Sequence, residues 1–236
     1  MKMNNFESLI KFNLALREVI VLIRRCKIEE NKSRTISNIY LKAALILLTS
    51  KFEAFLENIV LEYITYLNNN LLPEQIPDII KISHTKELYE KFANYFEKIT
   101  EEDKRQIISD NMNELALLWK NDENAKPIRI SNKFNFGKHG EKAINDLFKR
   151  VGFYNILNDI VIKNQIQTID GIEEEDIDIK AKINELTNKR NTILHNDTSI
   201  TFTKEEIICY IKYLKQFSQK LVVKMQKTVQ EYHESN

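Results

Sequence analysis

The chain has 236 residues, of which 43% are hydrophobic and 29% are charged, and its formal net charge is +1. This length can bury a substantial core, and the composition is that of an ordinary globular protein. The nearly neutral charge excludes an overall electrostatic field that attracts nucleic acid. Only four glycines and three prolines interrupt long stretches rich in Leu, Ile, Lys, Glu and Asn, which predicts an all-α fold.

Cysteine use and hydropathy indicate the cellular setting. Cys26 and Cys209 are far apart and have no CxxC-type neighbour, so they predict neither a metal site nor a disulfide framework. Residues 1–12 lack an apolar signal-peptide core, and the longest apolar run, residues 43–48, is too short to span a bilayer. We therefore expect a cytoplasmic protein without a membrane partner.

The first half of the chain shows helical apolar spacing with two breaks. A first helix is predicted over residues 5–29, and Ser33 can cap a second helix that runs to about residue 68. The middle of that second helix is apolar on most sides and is expected to form the centre of the core. A shorter helix is predicted over residues 86–98, and a capping box at Thr100 begins another.

The second half begins with a loop-like region, residues 120–137, whose alternating apolar residues could form a short extended piece. We predict helices over residues 140–150, 153–164, 173–195 and 203–230, the last starting with a capping box at Thr203. The whole chain, 1–236, is interpreted as one domain. Its core helices lie at about 5–29, 33–68, 173–195 and 203–230, with additional helices inserted at about 71–170.

A glutamate interrupts the apolar middle of the second predicted helix. Glu53 lies between Phe52 and Phe55, and a buried carboxylate is costly unless it is paired. Either Glu53 lies on a hydrated edge of the helix, or it pairs with a basic residue from elsewhere, for which Arg190 is the obvious candidate.

One polar stretch, residues 188–197, contains the candidate site. On a helix, Asn191 and His195 share a face, whereas Arg190 and His195 are about 140° apart. Either Arg190 reaches around the helix, or the chain bends at Asn196–Asp197. A neighbouring arginine and histidine could bind and split a phosphodiester; the structural alternative is a histidine that interacts with the helix dipole. The sequence has no glycine-rich phosphate loop, GxSxG or HExxH motif.

The Arg-Asn-x-x-x-His pattern of residues 190–195, in an all-helical chain with a further helix after it, resembles the HEPN superfamily. Residues 51–57 (KFEAFLE) and 133–139 (KFNFGKH) resemble a prokaryotic branch of stand-alone HEPN proteins found near restriction and toxin loci. The resemblance covers nearly the whole chain. It implies a HEPN-like helical bundle with inserted helices, acting as a toxin or defence ribonuclease, with an antitoxin protein as a possible partner.

The resemblance also implies a homodimer in which two motif helices face each other across a two-fold axis. Arg190 would hold the RNA phosphate, His195 would transfer protons, and Asn191 would orient the histidine or donate to the phosphate, with Glu53 as a supporting residue. The RNA 2′-OH supplies the nucleophile, so no cofactor or metal is expected. Some HEPN toxins carry a modifiable tyrosine two residues after the histidine; here that position is Asp197, so such control is not expected.

A basic segment, residues 126–150, carries seven basic and two acidic residues and is a candidate RNA-guiding surface. Lys133, Lys138 and Lys142 could contact the RNA backbone, and Phe134 and Phe136 could stack on bases. The alternative is that the phenylalanines belong to the core and the lysines are merely solvated. For the whole protein, the alternatives to a ribonuclease are a non-catalytic HEPN module that binds RNA, nucleotide or a partner protein, and a purely structural helical scaffold.

Overall fold

The computed structural model describes residues 6–96, 100–135, 139–168, 171–196 and 202–234. The all-α prediction is confirmed, since helices dominate these residues and the strands form one small hairpin. None of the helices described is long and apolar enough to cross a membrane. The elements are α1 (Glu7–Glu29), α2 (Arg34–Asn70), a 3₁₀ turn (Pro73–Gln75), α3 (Asp78–Phe96), α4 (Glu101–Trp119), α5 (Glu141–Lys149), β1 (Ile162–Thr168), β2 (Gly171–Ile177), α6 (Ile179–Asn196) and α7 (Lys204–Glu234).

Helix α2 runs through the centre of the core, as its apolar middle predicts. Its buried side chains line several sides of the helix, and α1, α6 and α7 all pack against it. Aromatic rings connect the long helices: the ring of Phe12 stacks on Phe55 at 5.0 Å between centroids, and Phe217 meets Phe52 edge-on at 6.0 Å. These contacts supply the apolar burial that stabilises the bundle.

Helix starts follow the sequence signals closely. The hydroxyl of Ser33 accepts a hydrogen bond from the backbone N–H of Ile36, and Thr100 accepts one from Asp103. At the start of α7 the capping box is reciprocal: Glu206 N–H donates to the Thr203 hydroxyl, and Thr203 N–H donates to the Glu206 carboxylate. Each cap satisfies backbone donors that have no partner within the helix.

The structure corrects the prediction of a helix over residues 153–164. Turns occupy residues 153–159, and β1 begins at Ile162. Asn155 has a φ of 53°, which lies in the left-handed region and cannot continue a right-handed helix. The apolar residues that suggested a helix are buried nonetheless, because the turns direct Ile156, Leu157 and Ile160 into the core.

The predicted start of the motif helix at residue 173 is also wrong. Residues 171–177 form β2, which pairs antiparallel with β1, and Ile177 lies opposite Ile162. One acidic side chain of β2 forms an ion pair across the hairpin: the Glu174 carboxylate lies 2.7 Å from the Lys163 ammonium. Asp178 then caps α6 by accepting a hydrogen bond from the N–H of Ala181, so the helix begins only after the strand.

Within the inserted region, the extended backbone at Ile128 and Arg129 is attached to α2 and α3 by side-chain hydrogen bonds. Asn68 forms two bonds with Ile128, donating to its carbonyl and accepting from its N–H, and His84 Nδ1 accepts from the N–H of Arg129. Ile128 and Ile130 are buried here. The extended piece suggested by the sequence thus pairs with side chains, while the strands of the described residues are β1 and β2 alone.

A polar cluster joins α6 to the start of α7. The ammonium of Lys189 lies 2.9 Å from Glu185 on α6 and 2.7 Å from Glu206 on α7, and it sits over the ring of Tyr210. Glu206 is also the carboxylate that caps α7 at Thr203. Lys189 therefore connects α6 to α7 through Glu206, which the cap at Thr203 already holds in place.

We expect Lys189→Met to lower the free energy of unfolding by about 1–2 kcal/mol, because it removes the cation shared by Glu185 and Glu206. The corresponding fall in Tm, measured by circular dichroism, is about 2–8 °C for a chain of this length. Lys182→Met is the matched control, since Lys182 forms an ion pair with Glu185 from a more exposed position and does not bridge to Glu206. Equal losses in the two variants would contradict a bridging role for Lys189.

Acid should weaken the same cluster. Burial by itself would raise the pKa of Glu185, but hydrogen bonds from Tyr210 and two lysines lower it to about 2. A carboxyl group whose pKa is lowered on folding stabilises the protein above its unfolded pKa, and this contribution disappears as the pH falls from about 4.5 to about 2. The stability difference between the wild type and Glu185→Gln, measured by urea unfolding, should therefore shrink over this interval. Glu123→Gln, on an exposed loop, is the control. A stability difference between the wild type and Glu185→Gln that stays constant over this interval would contradict the lowered pKa of Glu185.

Candidate active site

The candidate motif lies on the last two turns of α6, which is anchored by its apolar face. Ile179, Ile183 and Leu186 are buried, and the helix continues without interruption to Asn196. The bend proposed at Asn196–Asp197 falls partly outside the described residues, because Asp197 is not among them. Arg190 and His195 therefore lie on one continuous helix, about 140° apart around its axis.

Arg190 is half-buried and turns toward its neighbour. Its Nη1 donates to Asn191 Oδ1 at 3.0 Å, and its buried Nε has no hydrogen-bond partner among the residues described. Because a guanidinium offers only donors, this bond fixes the amide with its oxygen toward Arg190 and leaves the Asn191 Nδ2 group available to another acceptor. The guanidinium and the amide thus present donors side by side, as recognition of an anion requires.

His195 is exposed one turn beyond Asn191. Residues 184, 188, 191 and 195 are spaced by four, three and four positions, so they form a continuous stripe along α6. This stripe carries Asn184, Asn188, Asn191 and His195, a row of polar side chains with the histidine at the C-terminal end. The imidazole is therefore accessible to a substrate that lies along the helix.

A groove of about 520 Å³ runs beside this stripe. One wall is α6, from Asn184 to Asn191, and the other is the start of α5 with the two residues that precede it. The lining residues are His139, Gly140, Lys142, Ala143, Asn184, Thr187, Asn188 and Asn191. The groove therefore reaches the motif at Asn191, while His195 lies one turn further along the same face.

The structure corrects the suggested partner of Glu53. Glu53 Oε1 lies 2.7 Å from His139 Nδ1, whereas Arg190 bonds to Asn191. The Glu53 side chain is 23% exposed, so it is neither fully hydrated nor deeply buried. Glu53 therefore supports a histidine at the groove instead of the motif arginine.

A tight turn holds His139 in this place. Gly140 has a φ of +80°, and a Cβ atom there would come within 2.8 Å of the Asn184 side-chain oxygen. The same oxygen accepts a hydrogen bond from the N–H of Glu141. Glycine is thus required for the close approach of this turn to α6.

The three lysines suggested for RNA contact have different surroundings. Lys133 forms an ion pair with Glu57 at 2.6 Å, and the N–H of Phe134 donates to the same carboxylate. Lys138 lies outside the described residues, as does Phe136. Lys142 is exposed and lines the groove, so among the described lysines of this set it is the one placed beside the motif. Phe134 packs against the core, which favours the structural alternative for this residue.

Sequence reasoning missed His139 as part of the site. A usable signal was present, because Glu53 and Glu57 are four residues apart and form a polar face on an otherwise apolar helix. On that face Glu57 binds Asn132 and Phe134, and Glu53 binds His139. The sequence could have suggested that this polar face contacts a polar stretch elsewhere in the chain, but it could not show which residues meet.

Two further observations describe the chemistry available. Over the described ranges, no group of three or more His, Cys, Asp or Glu side chains is arranged to hold a metal ion. The groups at the motif are a guanidinium, an amide and an imidazole, which bind anions and transfer protons.

Comparison with known proteins gave one family match. The family model described as RiboL-PSP-HEPN matches residues 15–227, which is nearly the whole chain and includes both the groove and the motif. Searches of curated proteins and of solved structures found no significant match. On this evidence the chain belongs to the RiboL-PSP-HEPN family of the HEPN superfamily.

Proposed function

We propose that this protein is a metal-independent endoribonuclease whose active site consists of Arg190, Asn191 and His195. The observation that supports it is the arrangement of these residues at one exposed end of α6, where Arg190 donates to Asn191 and His195 follows on the same face. Membership of a HEPN family supports the same proposal, because the Arg-Asn-x-x-x-His pattern lies within the matched residues.

The reaction needs no nucleophile from the protein. The RNA 2′-oxygen attacks the adjacent phosphorus, a 2′-O–P bond forms and the P–O5′ bond breaks. The His195 imidazole takes the proton of the 2′-OH, the departing 5′-oxygen takes a proton from solvent water, and the hydroxide left behind takes the proton of the imidazolium. Arg190 and the Asn191 amide stabilise the charge on the phosphorane oxygens. The products are a 2′,3′-cyclic phosphate and a 5′-OH end.

A homodimer would bring Arg190 of one chain to His195 of the other. The two residues are about 140° apart around α6, and Arg190 is half-buried while His195 is exposed, so a single straight helix does not place them side by side. A two-fold axis beside α6 would place Arg190 of one protomer near the partner's His195. Leu194 is 49% exposed next to His195 and offers apolar surface that such a contact would bury.

We further propose a role as a toxin or defence effector in the cytoplasm, controlled by a partner protein such as an antitoxin. The support is the resemblance of residues 51–57 and 133–139 to HEPN proteins of restriction and toxin loci. An unregulated ribonuclease would damage the RNA of its own cell, so inducible expression of the active protein should arrest growth, and expression of the His195→Ala variant should not.

His195→Ala should lower the rate of RNA cleavage by a factor of about 10²–10⁴, the usual contribution of a general acid or base. The wild type should retain activity in EDTA, produce 2′,3′-cyclic phosphate ends, and leave a DNA strand of the same sequence uncut. His233→Ala, at an exposed position on α7, is the matched control. Equal cleavage by the His195 and His233 variants would refute the site, and RNA binding without cleavage by the wild type would favour the non-catalytic module.

The composite dimer site has a separate test by complementation. Arg190→Ala and His195→Ala homodimers should each be inactive, whereas a mixture with exchanged subunits should recover about one quarter of the wild-type activity. Half of the dimers would then be mixed, and each mixed dimer would have one intact site of two. Mixing Arg190→Ala with the Arg190→Ala/His195→Ala double variant is the control. An inactive first mixture, with exchange demonstrated, would show that the site does not combine residues of two chains.

A further inference from the structure

The pair formed by Glu53 and His139 lies at the groove but outside the Arg-Asn-x-x-x-His motif. A carboxylate has only acceptor atoms, so the 2.7 Å contact places the hydrogen on His139 Nδ1 and fixes the ring. No hydrogen bond to the other ring nitrogen, Nε2, is found in the part of the chain that the structure describes. When both ring nitrogens carry hydrogen, Nδ1–H donates to Glu53 and Nε2–H is left to donate to an anion at the groove.

The position of His139 relative to the motif suggests what that ligand is. Thr187 and Asn188 line the groove together with His139, and His195 lies seven residues after Asn188 on the same face. Seven residues of helix span about 10 Å, which is the length of roughly one to three nucleotide steps. His139 is therefore too far along the helix to act on the same phosphate as His195, but it is placed for a neighbouring one.

The charges around this part of the groove favour an anion. Lys142 is exposed on the groove wall and has no ion pair among the described residues. Glu141, the acidic residue that precedes Lys142 on α5, is held by the Asn184 amide and faces Lys180 at 3.9 Å. Glu53 is engaged by His139 itself. The groups that this part of the groove offers to a ligand thus include a lysine, an imidazole N–H and the amides of Asn188 and Asn191.

We propose that His139, oriented by Glu53, and Lys142 form a phosphate-binding subsite for the RNA strand next to the cleaved bond. The strand lies along the stripe of α6, with the reacting phosphate at the motif and the adjacent phosphate between His139 and Lys142. His139 is a positioning residue for the substrate, not an acid or base of the reaction. This assignment rests on the proposed ribonuclease function for its substrate class.

Binding of an RNA that cannot be cleaved tests the subsite independently of catalysis. The probe is a fluorescent, fully 2′-O-methylated single strand about twelve nucleotides long, which lacks the nucleophile and spans the groove. By fluorescence anisotropy, His139→Gln should weaken binding on the order of tenfold, because a charge-assisted hydrogen bond to phosphate is lost. Lys142→Ala should weaken binding and reduce the slope of log K against log salt by about 0.7, the value for one phosphate contact on a single strand.

Matched controls separate the subsite from nonspecific charge effects. His233→Gln and Lys91→Ala change the same residue types at exposed positions outside the groove, and they should bind the probe like the wild type. Circular dichroism confirms folding of each variant, and the exposed Lys142 keeps the test valid if His139→Gln does not fold. Unchanged affinity in Lys142→Ala, or in a folded His139→Gln, overturns the subsite.

Steady-state kinetics distinguish positioning from chemistry. With cleavable RNA, His139→Gln should raise KM and leave kcat within about twofold, as expected for an interaction equal in the ground and transition states. A fall in kcat of more than about 100-fold with normal probe binding would make His139 a catalytic residue and overturn the proposal. If the wild type binds the probe through His139 and Lys142 but cuts no RNA, the ribonuclease function fails and the subsite stands.

Discussion

The position of the candidate site depends on Lys189, which holds α6 against the start of α7. Its ammonium meets Glu185 on its own helix and Glu206 on the next, and Glu206 is already fixed because it caps α7 through Thr203. Lys189 precedes Arg190 directly, so the constraint acts within one residue of the motif. A site that must present an arginine and a histidine in fixed directions requires such a rigid support.

A second constraint on α6 comes from residues before and at the start of α5. On α2, Glu57 binds Phe134 and Glu53 binds His139, and the turn at Gly140 lets the N–H of Glu141 donate to Asn184. The groove is the space between residues 139–143 and the polar stripe of α6. Glu53 and Glu57, in an otherwise apolar stretch of α2, therefore help to position the groove wall that carries His139 and Lys142.

The motif combines groups suited to RNA, and we propose that their cooperation depends on dimer assembly. Arg190 and Asn191 are coupled by a hydrogen bond, so their remaining donors lie side by side, while His195 is exposed near the end of the helix. On a straight helix, residues five apart point in different directions. The proposed composite site would remove this difficulty, because the Arg190 and the His195 that cooperate would come from different chains.

The amino-acid sequence by itself determined the all-α class, the helix caps at Ser33 and Thr203, and the shared face of Asn191 and His195. These features are local, since helix periodicity and capping depend on residues three or four apart. Only the tertiary structure decided that Glu53 pairs with His139, 86 positions away, and that residues 171–177 join a hairpin instead of α6. Such contacts depend on which surfaces meet after the chain folds, and no spacing along the sequence encodes them.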